Sequence, residues 1–330
     1  MTATISASPR RRWLRTAALT GALALLGATA LAQPWPSRPV RMVVGFAPGG
    51  GTDVMARALA QALSESLGQT VLVDNKPGAS GNIGAGEVVR AAPDGYTILL
   101  APTSFQTVSP SLFKAPFDPA KDLTPLVAVG RSPMYIVARP TIEAKDAKEL
   151  VALAKKQPGK FSYASSGSGT PPHLAGELFK QQAGITAVHV PYRGSGPALQ
   201  DVMASQADYV FDPGIAFPHI RAGKVKLLAV TSDKRSAFFP DAPTLAEQGI
   251  KGAELDIWWG VWVPNNTPAE VRARLDREIA KGLALASVKE RYNALGLEPA
   301  YLETGAFRTL LVDETKLLTK LITERGIKAE

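Results

Sequence analysis

The chain has 330 residues, no cysteine, and 37 Lys and Arg against 29 Asp and Glu, a formal net charge of +8. This length allows two domains of ordinary size. The absence of cysteine excludes disulfides, thiolate metal sites and a cysteine nucleophile. Charges of both signs are scattered along the chain without a basic run, so nucleic-acid binding is not expected.

Residues 1–32 have the pattern of a secretory signal. Four arginines within residues 10–15 precede an apolar segment at 17–26, and Ala30-Leu31-Ala32 predicts cleavage after Ala32. The arginines faintly resemble a twin-arginine signal, but a general secretory signal fits better. Its removal leaves 33 basic and 29 acidic side chains, a formal charge of +4. No later run approaches twenty apolar residues, so we expect an exported, periplasmic and soluble protein.

The first informative stretch is Gly-Phe-Ala-Pro-Gly-Gly-Gly-Thr-Asp at residues 45–53. It follows a predicted buried strand at 40–44 and precedes a predicted helix at 53–67 with an apolar stripe. Its glycines permit a sharp turn and leave the backbone N–H groups uncovered, and Thr52 is placed to cap the helix. This pattern predicts a cup of amides for a carboxylate or phosphate, although a turn needed only for tight packing is the alternative. The candidate binding residues are Phe46, Pro48, Gly49, Gly50, Gly51, Thr52 and Asp53.

Strand-like and helical patterns then alternate, which is typical of an α/β fold. A strand at 96–101 ends at Thr103 and Ser104, and hydroxyl groups at the carboxyl end of a strand are candidate ligand contacts. Residues 126–137 form a long extended segment that we interpret as a crossing between lobes. Further strands are predicted at 71–73, 161–164, 209–211, 227–231 and 257–263. Further helices are predicted at 83–91, 145–157 and 305–325, and three more are predicted to begin after residues 170, 267 and 287.

A second stretch, Ser-Ser-Gly-Ser-Gly-Thr-Pro-Pro-His at 165–173, repeats the pattern of the first. Small residues follow a strand, Thr170 is a predicted N-cap, and proline occupies the first helical position. Two such loops far apart in sequence predict a clamp around one anion. His173 either contacts the ligand or supports the loop by a hydrogen bond. The candidate residues of this stretch are Ser166, Gly167, Ser168, Gly169, Thr170 and His173.

Three further positions are ambiguous. Asp53 either stabilises the helix start while it points aside or receives an ammonium or hydroxyl group of the ligand; the first interpretation is favoured. Asp212, at the end of the 209–211 strand, has the same ambiguity. Trp258 and Trp259 alternate along a strand, so one of them could face the cleft and the other the core.

Motifs for catalysis are largely missing. The first loop lacks the lysine of a P-loop, neither loop has the spacing of a dinucleotide fingerprint, and the serines lie outside a nucleophile-elbow motif. A triad of Ser168, His173 or His189, and Asp212 has no support from spacing. His173, His189 and His219 lack the spacing of a zinc site. We therefore expect no cofactor, no metal and no enzymatic activity.

Several short motifs together resemble the periplasmic receptors of the tripartite tricarboxylate transporter class, the Bug or TctC family. They cover essentially the whole mature chain, and they are Pro48-Gly49-Gly50 with Thr52-Asp53, Asn75-Lys76-Pro77-Gly78-Ala79 with Gly81-Asn82-Ile83-Gly84, Pro93-Asp94-Gly95-Tyr96-Thr97, Gly167-Ser168-Gly169-Thr170 with His173-Leu174, Val190-Pro191-Tyr192-Arg193-Gly194, and 240–249. The resemblance implies a two-lobed periplasmic-binding-protein fold of type II, or Venus flytrap, in which each lobe is a mixed sheet flanked by helices. It implies lobe 1 at 33–128 and 256–330, lobe 2 at 129–255, and Tyr192 among the binding residues.

The family further implies a receptor, expected to be a monomer, that holds a small organic acid between its lobes for a membrane permease. Dicarboxylates, tricarboxylates, amino acids, aromatic acids and even uncharged compounds all remain possible ligands. The sequence leaves two alternatives: an exported serine hydrolase, or the same fold acting as the ligand-sensing input to a membrane kinase.

Overall fold

The computed structural model describes residues 35–328; the predicted signal segment lies outside this part. Residues 35–328 contain ten strands: β1 (Val40–Val44), β2 (Val71–Asn75), β3 (Thr97–Pro102), β4 (Leu123–Pro133), β5 (Tyr135–Ala138), β6 (Ser162–Ser165), β7 (Val188–Pro191), β8 (Tyr209–Asp212), β9 (Lys226–Val230) and β10 (Asp256–Pro264). The same residues contain twelve α-helices: α1 (Gly51–Leu67), α2 (Asn82–Val89), α3 (Ser104–Thr107), α4 (Ser109–Leu112), α5 (Pro119–Asp122), α6 (Ala147–Lys156), α7 (Pro171–Ala183), α8 (Ser195–Met203), α9 (Phe217–Arg221), α10 (Ala269–Ala284), α11 (Ala286–Asn293) and α12 (Thr304–Arg325).

The strands form two mixed sheets, as the α/β prediction requires. The first has the order β2-β1-β3-β10-β4, and the second has the order β7-β6-β8-β5-β9. In the first sheet β1 runs parallel to β2 and β3, while β10 is antiparallel to β3 and β4. In the second, β6 runs parallel to β7 and β8, while β5 is antiparallel to β8 and β9. Parallel connections carry helices across the sheet faces and therefore bury both faces.

Each sheet has a hydrophobic core of its own. The core of the first sheet includes Val43, Leu99, Trp262 and Phe307. That of the second includes Tyr135, Val210 and Phe217. Two separate cores allow the two halves of residues 38–328 to remain folded as their separation changes.

The chain crosses between the sheets where the sequence predicts a crossing. The extended segment at 126–137 is two strands: β4 belongs to the first sheet up to Pro133, and β5 begins the second sheet at Tyr135. The chain returns to the first sheet with β10. At the crossing, the Ser132 hydroxyl lies 3.1 Å from the carbonyl oxygen of Pro213 and 3.1 Å from that of Gly296. This side chain therefore lies between carbonyl groups of both halves, with the Pro133 carbonyl as its shortest acceptor at 2.6 Å.

Within residues 35–328, none of the helices combines the length and apolarity needed to span a bilayer.

Candidate ligand-binding cleft

A cavity opens between loops of the two halves. It contains about 360 Å³ of space outside protein atoms, including the part open to solvent. The first half contributes Phe46, Gly50, Gly51, Thr52, Pro102, Ile257 and Trp259, and the second contributes Ser166, Pro171, Pro172, Ser195 and Pro213.

The first glycine loop places the start of α1 at this cavity, but the helix begins earlier than predicted. Gly50 is the N-cap residue, in an extended conformation with φ −82°, so Thr52 is the second helical residue. The prediction that Thr52 caps the helix is therefore wrong. Its hydroxyl instead accepts a hydrogen bond from the Trp259 indole at 3.0 Å.

The α1 start offers unpaired amides to the cavity. The first bond of the helix runs from the Val54 N–H to the Gly50 carbonyl at 3.0 Å. The N–H groups of Gly51, Thr52 and Asp53 precede it and therefore have no acceptor within the helix. They lie at the positive end of a 17-residue helix. This part of the predicted amide cup is present in the structure.

The Asp53 carboxylate holds the first loop together. It accepts hydrogen bonds from the Gly49 N–H at 3.0 Å, the Arg57 guanidinium at 2.9 Å and the Asn75 amide at 3.0 Å. Burial opposes its ionisation, but these donors outweigh burial and lower the pKa of Asp53 below its ordinary value. The contacts favour the interpretation in which Asp53 points aside. They also occupy the N–H group of Gly49. Gly49 and Pro48 are both exposed to solvent, and neither lines the cavity.

The second glycine loop bonds mainly to itself. Gly167 N–H donates to the Ser165 hydroxyl at 3.1 Å, and Thr170 N–H donates to the Gly167 carbonyl at 3.2 Å. Thr170 occupies the N-cap position of α7 as predicted, yet its hydroxyl bonds to the Gly167 carbonyl at 2.6 Å and caps no helix N–H. Pro171 and Pro172 begin α7 without N–H groups. The amides of Gly167 and Thr170 are therefore paired within the loop, and the two prolines add no further donors.

His173 supports this loop from inside the protein. Its side chain is buried, and its Nδ1 accepts a hydrogen bond from Gly169 N–H at 2.8 Å. Burial lowers the pKa of His173 to about 4, against an opposing effect of Glu177, so the imidazole is neutral at neutral pH. Its ring stacks on His189 with the ring centroids 4.0 Å apart. These contacts fit the supporting role among the two that the sequence allows.

The start of α8 faces the first loop, although the sequence did not mark it as a binding element. α8 begins at Ser195, and its first bond joins the Ala198 N–H to the Gly194 carbonyl. The amides of Ser195 and Gly196 therefore have no acceptor within the helix. A Cβ placed on Gly50 would lie 3.6 Å and 3.7 Å from these two nitrogens. The starts of α1 and α8 thus meet across the cleft, and the start of α7 lines the same cavity.

A second cavity adjoins the first, with Phe46 and Ser166 lining both. Gly167, Ser168, Tyr192 and Arg193 also line the second cavity. Beside it the two halves touch: Ala47 N–H donates to the Arg193 carbonyl at 3.0 Å, and the Ser80 hydroxyl donates to the Ser168 carbonyl. The structure therefore shows the two halves in contact over the cleft.

The other predicted residues lie around the cleft. Thr103 is buried, and its hydroxyl donates a hydrogen bond to Glu314 at 2.9 Å. Ser104 is buried at the start of α3. The neighbouring Pro102 lines the cavity instead of these two residues. The Tyr192 hydroxyl donates to Asp201 at 2.6 Å. The sequence analysis missed Pro102, Pro171, Pro172, Ser195, Pro213 and Ile257. The only local signal for Ser195 is Gly-Ser-Gly-Pro at 194–197, which resembles the two loops it did select.

The two tryptophans of β10 face different surroundings, as strand alternation requires. Trp259 lines the cavity and is buried. Trp258 is partly exposed, with the Arg131 guanidinium 5.9 Å from its ring centroid. The sequence could not tell which of the two faces the cleft, because the register of β10 against β3 decides it.

Asp212 is fully buried at the end of β8 and is not among the residues that line either cavity. One carboxylate oxygen accepts from Gly214 N–H at 2.6 Å and from Ala216 N–H at 3.0 Å. Its other oxygen is buried without a hydrogen-bond partner within the described structure. Burial raises the pKa of Asp212 to about 7, although the two backbone donors favour its ionised form.

The raised pKa predicts an unusual dependence of stability on pH. Folded Asp212 retains its proton up to a pH of about 7, whereas the ordinary value is 3.8. Between these values the folded state binds more protons than the unfolded state, so this group destabilises the protein as pH rises. We expect Asp212→Asn to raise the melting temperature more at pH 8 than at pH 5. Exposed Asp241→Asn is the control, and an equal change at both pH values would contradict the prediction.

Helices on two mixed sheets, with a cavity between the halves, define the solute-binding proteins of the periplasm. The family model for the tripartite tricarboxylate transporter family receptor matches residues 55–327. The chain belongs to this family, whose members bind solutes and are not enzymes.

Relatives and known structures agree with this assignment. Protein BugT of Bordetella pertussis is 36% identical over 311 residues, covering 93% of this chain and 95% of that protein. The structure of the periplasmic binding protein BugD is 39% identical with a TM-score of 0.85, covering 90% of this chain and 100% of that one. The R. palustris protein Rpa4515, solved with adipate, is 32% identical with a TM-score of 0.86, at the same coverage. The resemblance and the two-lobed fold inferred from the sequence are thus confirmed.

Proposed function

We propose that this protein captures a small carboxylic acid between its two halves and delivers it to the membrane permease of a tripartite tricarboxylate transporter. The observation that carries the proposal is the start of α1, where the amides of Gly51 and Thr52 border a cavity shared by both halves. The described residues that line this cavity include no acidic side chain that would repel an anion. The adipate bound by Rpa4515 supports a carboxylic acid as the ligand.

The hydrogen bonds expected at this site are strong enough for micromolar affinity. A charge-assisted hydrogen bond contributes about 1.5–3 kcal/mol, and a helix start about 0.3–1 kcal/mol. Micromolar binding needs about −8 kcal/mol after the costs of association. Amides from α1 together with hydroxyl or amide groups from Ser195 and Ser166 reach this range. Because these groups belong to different halves, the ligand favours the closed arrangement by the contacts that it makes with both.

We propose that the ligand contacts Phe46, Gly50, Gly51 and Thr52 of the first loop, together with Ser166 and Ser195 of the second half. Pro48, Gly49, Asp53, Gly167, Ser168, Gly169, Thr170 and His173 shape the two loops, and Thr103, Ser104, Tyr192 and Asp212 support the surrounding elements. The lobes follow the two sheets, so the first boundary lies between Pro133 and Tyr135, a few residues after the expected 128, and the second lies near residue 255. We further propose export by a signal cleaved near Ala32 and function as a monomer.

A matched pair of variants at Gly51 tests the role of the α1 amides. Gly51→Pro removes one N–H at the first helical position, which proline favours, and the preceding residue is already extended. Gly51→Ala adds a side-chain carbon without removing the N–H, and that carbon would meet Pro213 at 3.6 Å, an ordinary contact. Calorimetry with a panel of mono- and dicarboxylic acids should show that Gly51→Pro loses about 10- to 150-fold in affinity. The alanine variant should remain close to the parent protein.

The corresponding primary amides provide the control ligands. They have the shape of the acids but no charge, so they should bind far more weakly. Equal binding of acid and amide, or equal affinity of the two Gly51 variants, would contradict an amide-held carboxylate. Delivery is tested by the uptake of a labelled acid in cells of the source organism from which the receptor gene has been deleted. Wild-type protein should restore this uptake, and Gly51→Pro should not.

The serine hydrolase alternative finds no support in the geometry. His189 lies 2.7 Å from the hydroxyl of Ser165 rather than that of Ser168, and His173 accepts from a backbone amide. Asp212 bonds to two backbone N–H groups. The histidines and the aspartate of the hypothetical triad therefore bond to groups other than the Ser168 hydroxyl.

A further inference from the structure

We propose that a groove outside the ligand cleft docks a segment of the membrane permease that carries Lys or Arg beside apolar side chains. This inference rests on the proposed function, because it assigns the surface by which the receptor meets its transporter. It follows from an open apolar groove, from the carboxylates around it, and from a buried carboxylate oxygen that has no partner.

The groove lies between α12 and the chain that enters β10. It contains about 970 Å³ of space outside protein atoms, including the part open to solvent. The first half contributes Asp256, Trp258, Leu310, Asp313, Glu314, Leu317 and Leu318, and the second contributes Ser232, Asp233, Glu254 and Leu255. None of these residues lines either cavity of the ligand cleft. A partner in this groove therefore contacts both halves without using the residues of the cleft.

One face of α12 forms a wall of the groove. Five lining residues have the spacing i, i+3, i+4, i+7 and i+8 of a single helix face: Leu310, Asp313, Glu314, Leu317 and Leu318. Leu317 is 65% exposed, and Leu310 is partly exposed. Trp258 of β10 is partly exposed at the same groove. Apolar side chains that remain exposed together inside a polar rim are typical of a protein–protein contact.

The groove is acidic in a chain with an excess of basic residues. Its lining includes five carboxylate side chains: Asp233, Glu254, Asp256, Asp313 and Glu314. The described lining residues include no Lys, Arg or His, although the whole chain has 37 Lys and Arg against 29 Asp and Glu. Arg131 lies beside Trp258, but its guanidinium already pairs with Glu298 at 3.0 Å. Because complementary charges favour association and discriminate between partners, this lining selects a basic segment.

Glu314 is the residue that would hold a cation of the partner. Its Oε1 accepts a hydrogen bond from the Thr103 hydroxyl at 2.9 Å. Its Oε2 is buried and has no hydrogen-bond partner within the described structure. A buried carboxylate oxygen without a donor is costly, and a Lys ammonium or Arg guanidinium in the groove would supply the missing donor. Burial raises the pKa of Glu314 to about 7, so the approach of a cation also favours its ionised form.

Binding to membranes that contain the permease tests the groove. Spheroplasts expose the periplasmic face of the membrane, so receptor-deleted cells of the source organism are compared with cells that also lack the permease genes. The probe is the fluorescently labelled mature protein, saturated with the best-binding acid of the calorimetry panel. We expect Leu317→Ser and Asp313→Lys each to weaken the permease-dependent binding at least about tenfold. The affinity of either variant for the acid should change by no more than about twofold, because neither residue lines the cleft.

Two matched variants separate the groove from the rest of the surface. Val312→Ser removes an apolar side chain that is 52% exposed on the same helix but does not line the groove. Glu65→Lys reverses an exposed charge on α1. Both should change the permease-dependent binding by no more than about twofold. The melting temperatures of all four variants establish that they are folded.

The outcomes distinguish the inference from the proposed function. Equal binding of the wild-type protein to the two kinds of spheroplast would overturn delivery to the permease, and the inference with it. Permease-dependent binding that survives both groove variants, or that the control variants weaken equally, would overturn the inference alone. A wild-type dimer in sedimentation that the groove variants convert to a monomer would also overturn it, because a second copy of this chain would then be the occupant.

Discussion

Gly214→Ala is expected to lower the free energy of unfolding by more than about 3 kcal/mol, which is among the larger effects of a single substitution. Gly214 has φ +120°, a conformation that residues with side chains rarely adopt. A Cβ at this position would lie 1.5 Å from the Leu295 carbonyl oxygen, so backbone would have to move. Leu295 follows α11, and Gly214 follows β8; the substitution therefore separates the segment after α11 from the second half.

Gly223→Ala is the matched control for this prediction. Gly223 also has a left-handed conformation, φ +67°, but a Cβ there would meet no atom within 4 Å. Gly223→Ala should lower the free energy of unfolding by about 1–2 kcal/mol, which is the penalty for the left-handed conformation alone. Denaturant unfolding of both variants measures the difference. If Gly214→Ala costs no more than Gly223→Ala, the contact between Gly214 and Leu295 is looser than the structure shows.

Gly50→Val is expected to reduce ligand affinity by at least about 100-fold while the ligand-free protein keeps its stability within about 1 kcal/mol. Gly50 has an ordinary φ of −82°, so a side chain there introduces no backbone strain. A Cβ would lie 3.6 Å from the Ser195 nitrogen and 3.7 Å from the Ala47 carbonyl oxygen, which are ordinary contacts. The additional methyl groups of valine have to enter the narrow gap between the starts of α1 and α8.

Gly50→Ala provides the graded comparison. Its single methyl group fits at the distances given by the structure, so it should lose at most about tenfold in affinity. Calorimetry with the best-binding acid of the panel measures both variants, and unfolding curves establish that both are folded. Unchanged affinity in Gly50→Val would show that the two helix starts do not approach each other around the ligand.

The conformational role of glycine differs between these two positions. At Gly214 the requirement is structural, because both the dihedral angle and the neighbouring backbone exclude a side chain. At Gly50 only the space between the halves is limiting. The first substitution should therefore affect folding and the second should affect binding.

Much of the fold was predictable because its signals are local. β1, the turn after it and α1 follow one another in sequence, and their apolar patterns need no information from distant residues. The same holds for Thr170 at the start of α7 and for the crossing near residue 134. Short helices such as α3 and α4 were not predicted, because their few residues carry too little periodicity.

The strand and helix patterns of the sequence determined an α/β fold and a glycine turn that leaves the first amides of α1 open, and the family resemblance added the division into two sheets. Only the tertiary structure decided which second helix start meets that turn. The α7 loop has the more suggestive sequence, but His173 and Ser165 bond to its amides from inside the fold, and two prolines remove the next donors. The start of α8 instead lies beside Gly50. The partners of the α7 loop amides lie only two and four residues away, but the approach of α8 to Gly50 joins residues that are far apart in sequence, and folding alone brings them together.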